Sequence, residues 1–188
     1  MITDFADFCT WMDVLVRDTY TPLAAYFARH GPAPACSDAE LLTIALISEC
    51  CGWDHESDLI ARWQSHRDLF PHLPSPSHFN RRRRALQDAL ALLRRAILAM
   101  LDVAADSQCI IDSFPLPVVQ LYHAPDASRE WAIHGATFGH CCAKQQTIFG
   151  YKLHLVVTVG GVIRDVTLAP ANAADLSVGV ELLAQQVV

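Results

Sequence analysis

The hydrophobic period of this chain changes once, near Ala105, and that change limits what it can fold into. Before it, apolar residues recur at helical spacing. Phe5, Phe8, Met12, Leu15 and Val16 share one face, and Leu23, Tyr26 and Phe27 continue the pattern after Pro22. Gly31-Pro32-Ala33-Pro34 breaks the chain, and Ser37-Asp38-Ala39-Glu40 then reads as a capping box opening a helix over 41–51. That helix is apolar on most faces, so it is expected at the centre of the unit. A further helix is expected over 56–64. A proline-punctuated linker (Pro71, Pro74, Pro76) then leads into a long helix over 81–103.

After Ala105 the pattern is that of strands. Residues 107–113 form a short apolar run that Pro115 and Pro117 should end. Residues 148–159 alternate, with Phe149, Tyr151, Leu153, Leu155, Val157 and Val159 on one face. Gly160-Gly161 is a hairpin signal, 162–168 the returning strand, and Asp175 is placed to cap a final helix from Leu176. Residues 120–147 read as polar and irregular, and His123, His134 and His140 within them as solvent-facing. The expected fold is α+β: a helical domain over 1–104, then an α/β part over 105–188 with three antiparallel strands and a helix.

Composition excludes several classes. With 52% hydrophobic and 18% charged residues, the 188-residue chain is not disordered. Asp102 and Asp106 interrupt its most apolar stretch, so no spanning helix is expected. The acidic opening Met-Ile-Thr-Asp-Phe-Ala-Asp is unlike a secretory signal, which points to a cytoplasmic protein. Seven cysteines, an odd number, argue against a disulfide framework. Cys141-Cys142 beside His140 lacks the two-residue gap that zinc sites favour, so reduced and mostly buried thiols are the plainer reading.

The net charge of −6 hides a segregation. Residues 1–60 carry ten acids and two bases, whereas 61–100 carry eight bases and two acids. A polyanionic partner is therefore compatible with an acidic chain, because binding follows local patches.

Three features could carry chemistry. Asp112 ends the strand Cys-Ile-Ile-Asp-Ser-Phe-Pro, where a carboxylate beside an apolar core suits a divalent cation; its alternative is an exposed strand-end residue capping a turn. Lys152 and His154 lie two apart on the strand face opposite the apolar stripe, able to approach a phosphate together or to line a solvated face. Arg81, Arg82, Arg83 and Arg84 sit at the expected start of a helix, against its dipole. They offer forked donors to phosphates, or form a solvated exterior.

The ordered set Ile111-Asp112-Ser113-Phe114-Pro115-Leu116-Pro117, Phe149-Gly150-Tyr151-Lys152-Leu153-His154-Leu155, and Leu168-Ala169-Pro170-Ala171-Asn172 with Asp175 resembles the first half of a bacterial insertion-sequence transposase. Such enzymes have a DDE, ribonuclease-H-like catalytic domain. The leader with Ser37-Asp38-Ala39-Glu40-Leu41-Leu42 and Phe79-Asn80-Arg81-Arg82 is similar to the N-terminal region of one such subfamily. The resemblance implies metal-dependent DNA cleavage and strand transfer, with three carboxylates holding two Mg²⁺ or Mn²⁺ ions. Asp112 matches the first carboxylate, and Lys152 and His154 match a second-strand motif near the active site. Implied partners are the terminal inverted repeats of the element, a second copy of the chain or a full-length transposase, and no membrane.

In that family the second Asp lies on a fourth strand and the Glu on a later helix. The chain stops within the helix before that strand, so the expectation is a truncated copy, inactive alone. The alternative is a non-catalytic fragment that binds DNA or interferes with a complete transposase.

Overall fold

In the computed structural model, the described residues are 4–28, 31–53, 55–101, 103, 108–141 and 145–184. The chain is α+β and divides into two units, residues 1–97 and 98–188. The division falls within a helix. The boundary expected at 104/105 lies outside the described residues.

The first unit is helical: α1 (Phe5–Tyr20), α2 (Asp38–Cys50), α3 (Glu56–Trp63), α4 (Pro76–Ala85) and the greater part of α5 (Gln87–Met100). A 3₁₀ segment, Thr21–Phe27, follows α1 and starts with Pro22 in its first turn. The capping box forms as expected: Ser37 Oγ accepts from the Glu40 amide, and Glu40 accepts from the Ser37 amide at 2.7 Å. With its entry fixed there, α2 runs through the core, burying Leu41, Leu42, Ile44 and Ile47 against Val16, Trp63, Phe79 and Leu86. Ser48 is one of the buried polar residues this core must satisfy, with Thr19 and Thr43. Its hydroxyl donates to the Ile44 carbonyl and accepts from Trp63 Nε1, so both buried groups are paired.

The long helix expected over 81–103 is two helices. α4 starts at Pro76, capped by Ser75, and ends at Leu86, whose backbone leaves helical geometry (φ −100°, ψ 13°) while its side chain is fully buried. Arg82, Arg83 and Arg84 therefore occupy the last turn of α4, with Arg81 just before it, and their charge complements the dipole instead of opposing it.

The second unit holds a four-stranded antiparallel sheet of β1 (Cys109–Val119), β2 (Thr137–Cys141), β3 (Gln146–Thr158) and β4 (Ile163–Pro170), followed by α7 (Asp175–Ala184). β3 is central. It pairs with β1 along one edge, and with β2 and then β4 along the other. The first strand thus lies beside the hairpin, as expected, and Thr158 and Val162 close the Gly160-Gly161 turn with a 2.9 Å backbone bond.

Three expectations are corrected here. β1 runs through Pro115 and Pro117, because it is an edge strand and each proline nitrogen can face the unpaired side. The 120–147 segment is structured: a 3₁₀ turn (Leu121–Asp126), the short helix α6 (Arg129–Ile133) and β2. Its Ala124 and Ala136 pack on Phe149, and the Tyr151 hydroxyl donates to the His134 carbonyl at 3.2 Å. His123, His134 and His140 are nevertheless exposed. The thiols are not mostly buried. Cys9 is, but Cys50 and Cys51 are exposed where α2 leaves the core, and Cys142 lies outside the described residues.

The covered sheet face is also the reverse of what alternation suggested. The Lys152 side holds Ile148, His154, Val156 and Thr158, all buried. α7 covers this side, with Gly179 in contact distance of Ile111, which pairs with Val156. The stripe of Leu153, Leu155 and Val157 is only half-buried, and its neighbours Ile110, Phe114 and Leu168 are exposed. Alternation reveals which residues share a face, not which face a helix will cover.

Candidate functional site

The three motifs of the α/β unit meet where β1, β3 and the start of α7 come together. Register places Ser113 opposite His154, and Pro115 opposite Lys152, on the face beneath α7. The turn after β4 returns Asp175 to the same place. Its Oδ1 accepts from Lys152 Nζ at 3.0 Å and from Ser113 Oγ at 3.0 Å. Lys152 Nζ also donates to the Ala173 carbonyl at 3.2 Å. Asp175 is the first residue of α7 and makes no side-chain cap, so the capping role expected for it is corrected: its carboxylate faces Lys152 instead.

His154 sits at the floor of this cluster, fully buried, with neither ring nitrogen hydrogen-bonded. Nε2 lies 3.9 Å from Asp175 Oδ1, beyond hydrogen-bond range. Burial pushes the imidazole below its ordinary range and the Lys152 charge adds to this, outweighing the pull of Asp175. For Asp175, partial burial pushes the carboxyl up, but the hydrogen bonds from Lys152 and Ser113 together hold it below its usual value.

Asp112 is exposed, and its Oδ1 accepts from the Ser113 amide at 2.8 Å. By register it shares the opposite sheet face with Leu155 and Val166, one residue out of step with Ser113 and His154. It still borders two cavities that Asp175 and Ser113 also line. One, about 320 Å³, includes His140, Cys141 and Lys152. The other, about 360 Å³, runs under α7 past His154, Leu176 and Gly179.

These residues do not fit a two-ion centre. Asp112 and Lys152 belong to opposite faces, and the neighbouring carboxylate, Asp175, is already held by a lysine ammonium. Among the described residues, no group of three or more His, Cys, Asp or Glu side chains is placed to hold a metal. What the cluster offers is donors, a lysine ammonium, a serine hydroxyl and an imidazole, around one carboxylate. That set suits an anionic oxygen competing with Asp175 for Lys152.

The four arginines of the helical unit divide by role. Arg82 is largely buried and donates through Nε and Nη2 to Asp38 and to the Phe27 carbonyl, tying α4 to α2 and to the segment after α1. Arg83 reaches Glu49 at 3.4 Å and lies over the Phe79 ring. Arg81 and Arg84 are exposed and have no hydrogen-bond or ion-pair partner among the described residues. Periodicity could not separate them, because the distinction depends on where Asp38 and Glu49 land. Ser113 and Asp175 were missed as site residues; the signal available was their adjacency to Asp112 and to the Ala-Asn-Ala-Ala turn after the hairpin.

Among the described residues no helix is long and apolar enough to cross a membrane. No family model, curated protein or solved structure matches the chain.

Proposed function

We propose that the chain is a DNA-handling protein of the DDE transposase class, its helical unit contacting DNA and its α/β unit corresponding to the first part of a ribonuclease-H-like domain with Asp112 as the first acidic residue. One observation carries this reading. The segments 111–117, 149–155 and 168–175, on which the resemblance rests, converge on a single cluster through Ser113, Lys152, His154 and Asp175. The segments thus stand in order along the chain and also meet in space. Arg81 and Arg84, exposed and without an ion-pair partner among the described residues, support the DNA-contacting part.

A second reading, DNA binding without cleavage, is favoured by the lack of a three-donor metal group among the described residues. One experiment addresses both. The 188-residue protein is incubated with labelled duplexes carrying candidate terminal inverted repeats, with and without Mg²⁺ or Mn²⁺, and binding and strand cleavage are read separately. Salt-sensitive binding without cleavage is the expected outcome. Binding indifferent to salt, or none, would sink the proposal. Metal-dependent cleavage would overturn the non-cleaving reading and keep the class.

A further inference from the structure

The helical unit contains a cavity of about 350 Å³ that the Asp112 cluster does not use. Pro34, Pro71 and Pro74 form part of its wall, so much of its rim is backbone with one torsion already fixed. Arg67, His72 and His78 line it, and so does the Arg82–Asp38 pair. Arg67 and His72 come from the connection between α3 and α4, and His78 and Arg82 from α4 itself.

The charge balance of this cavity is positive. Asp38 is its one carboxylate, and Arg82 neutralises it through two hydrogen bonds. Arg67 is exposed and has no ion-pair partner among the described residues. Arg82 spends its Nε–H and both Nη2–H donors on Asp38 and Phe27, which leaves the two donors of Nη1. Each imidazole, of His72 and His78, can supply one further N–H donor. The volume is near the lower end of ligand-binding cavities, roughly 300 Å³, too small for a stretch of duplex and sufficient for one compact anionic group.

We infer that this cavity is a binding site for a terminal phosphate group, a phosphate monoester carried either by a small nucleotide or by the end of a DNA strand. A phosphate monoester presents three terminal oxygens and up to two charges to the several donors gathered here, whereas a carboxylate presents two oxygens and one charge. A terminal monoester can enter a pocket of this size end-on, whereas a diester inside a continuous strand carries sugar on both sides. The site stands apart from the DNA-handling proposal and from Arg81 and Arg84, which do not line it.

The test uses the full chain. Isothermal titration with inorganic phosphate at low ionic strength is followed by a nucleoside 5′-monophosphate, and then by one oligonucleotide with a 5′-phosphate and with a 5′-hydroxyl. Phosphate binding is expected, and Arg67→Gln weakens it about tenfold, the loss of one charge-assisted contact. Arg67 is exposed, so this variant keeps its fold, which a thermal melt checks; Arg81→Ala/Arg84→Ala leaves phosphate binding unchanged. A 5′-phosphate preference between the oligonucleotides assigns the site to DNA ends, and tighter binding of the mononucleotide assigns it to small ligands. Absence of phosphate binding, or equal binding by Arg67→Gln and the parent, overturns the inference. Because Arg81→Ala/Arg84→Ala tests DNA contact separately, either proposal can fail without the other.

Discussion

Lys152 and Asp175, 23 residues apart in the chain, meet at 3.0 Å and join the central strand β3 to the first turn of α7. The lysine side chain is largely buried, whereas Asp175 remains more than half exposed. Solvent therefore screens the pair, and Asp175→Asn is expected to cost under about 1 kcal/mol. Because the folded carboxyl is held below its usual value, its contribution is present above the unfolded pKa and lost as pH falls through the folded one. Urea unfolding of parent and Asp175→Asn should converge as the medium is acidified below pH 4 and separate above it. A constant gap across that range would refute the pairing.

His154 predicts the opposite kind of acid sensitivity. Its folded-state pKa lies below the ordinary imidazole value of 6.5, so the unfolded chain binds the proton first as pH falls. Stability should be complete above that value and decline below it, down to the folded pKa. His154→Leu removes two unpaired buried nitrogens and should leave stability unchanged or higher, with its advantage greater at pH 5.5 than at pH 8. Thermal melts at the two pH values check the sign.

The arginines should behave as two classes. Arg82→Ala leaves the largely buried Asp38 without its counter-ion, only the Tyr20 hydroxyl still reaching it, and should cost about 2–4 kcal/mol in urea unfolding. Arg81→Ala and Arg84→Ala should change stability by less than about 0.5 kcal/mol. In fluorescence anisotropy with duplex DNA, each of the latter is expected to lower the slope of log affinity against log salt by about 1. Equal stability losses for all three would contradict the division.

At Gly150, β3 runs close against β1 with a positive φ of 155°. A Cβ there would lie 2.2 Å from the Leu116 carbonyl oxygen, which is backbone and cannot rotate away. Gly150→Ala should force the strands apart beside the register shift at Pro117/Val119 and cost about 2 kcal/mol or more. Hydrogen exchange should accelerate along β1 while amides of the helical unit keep their protection.

Signals confined to a few neighbouring residues were legible in the sequence. The capping box at Ser37 and Glu40 and the Gly160-Gly161 turn depend on contacts within four positions, and both form as read. The break at Leu86 was hidden, because no glycine or proline marks it and burial of that leucine is a tertiary event. β2 was hidden for a related reason: Thr-Phe-Gly-His-Cys has little strand character, and pairing with β3 makes it a strand. At the site, Lys152 and His154 were found as a pair on one face. Asp175 was read as a helix cap, since sequence distance conceals that the turn after β4 carries it back to Lys152.

The two prolines of β1 also set limits on association. An unpaired edge invites another chain to extend the sheet, and the invitation is carried by outward amide protons. Pro115 and Pro117 remove such protons from one half of β1, leaving the half from Cys109 to Ser113 able to donate. A strand added along this edge would meet a ladder interrupted at the same place in every copy.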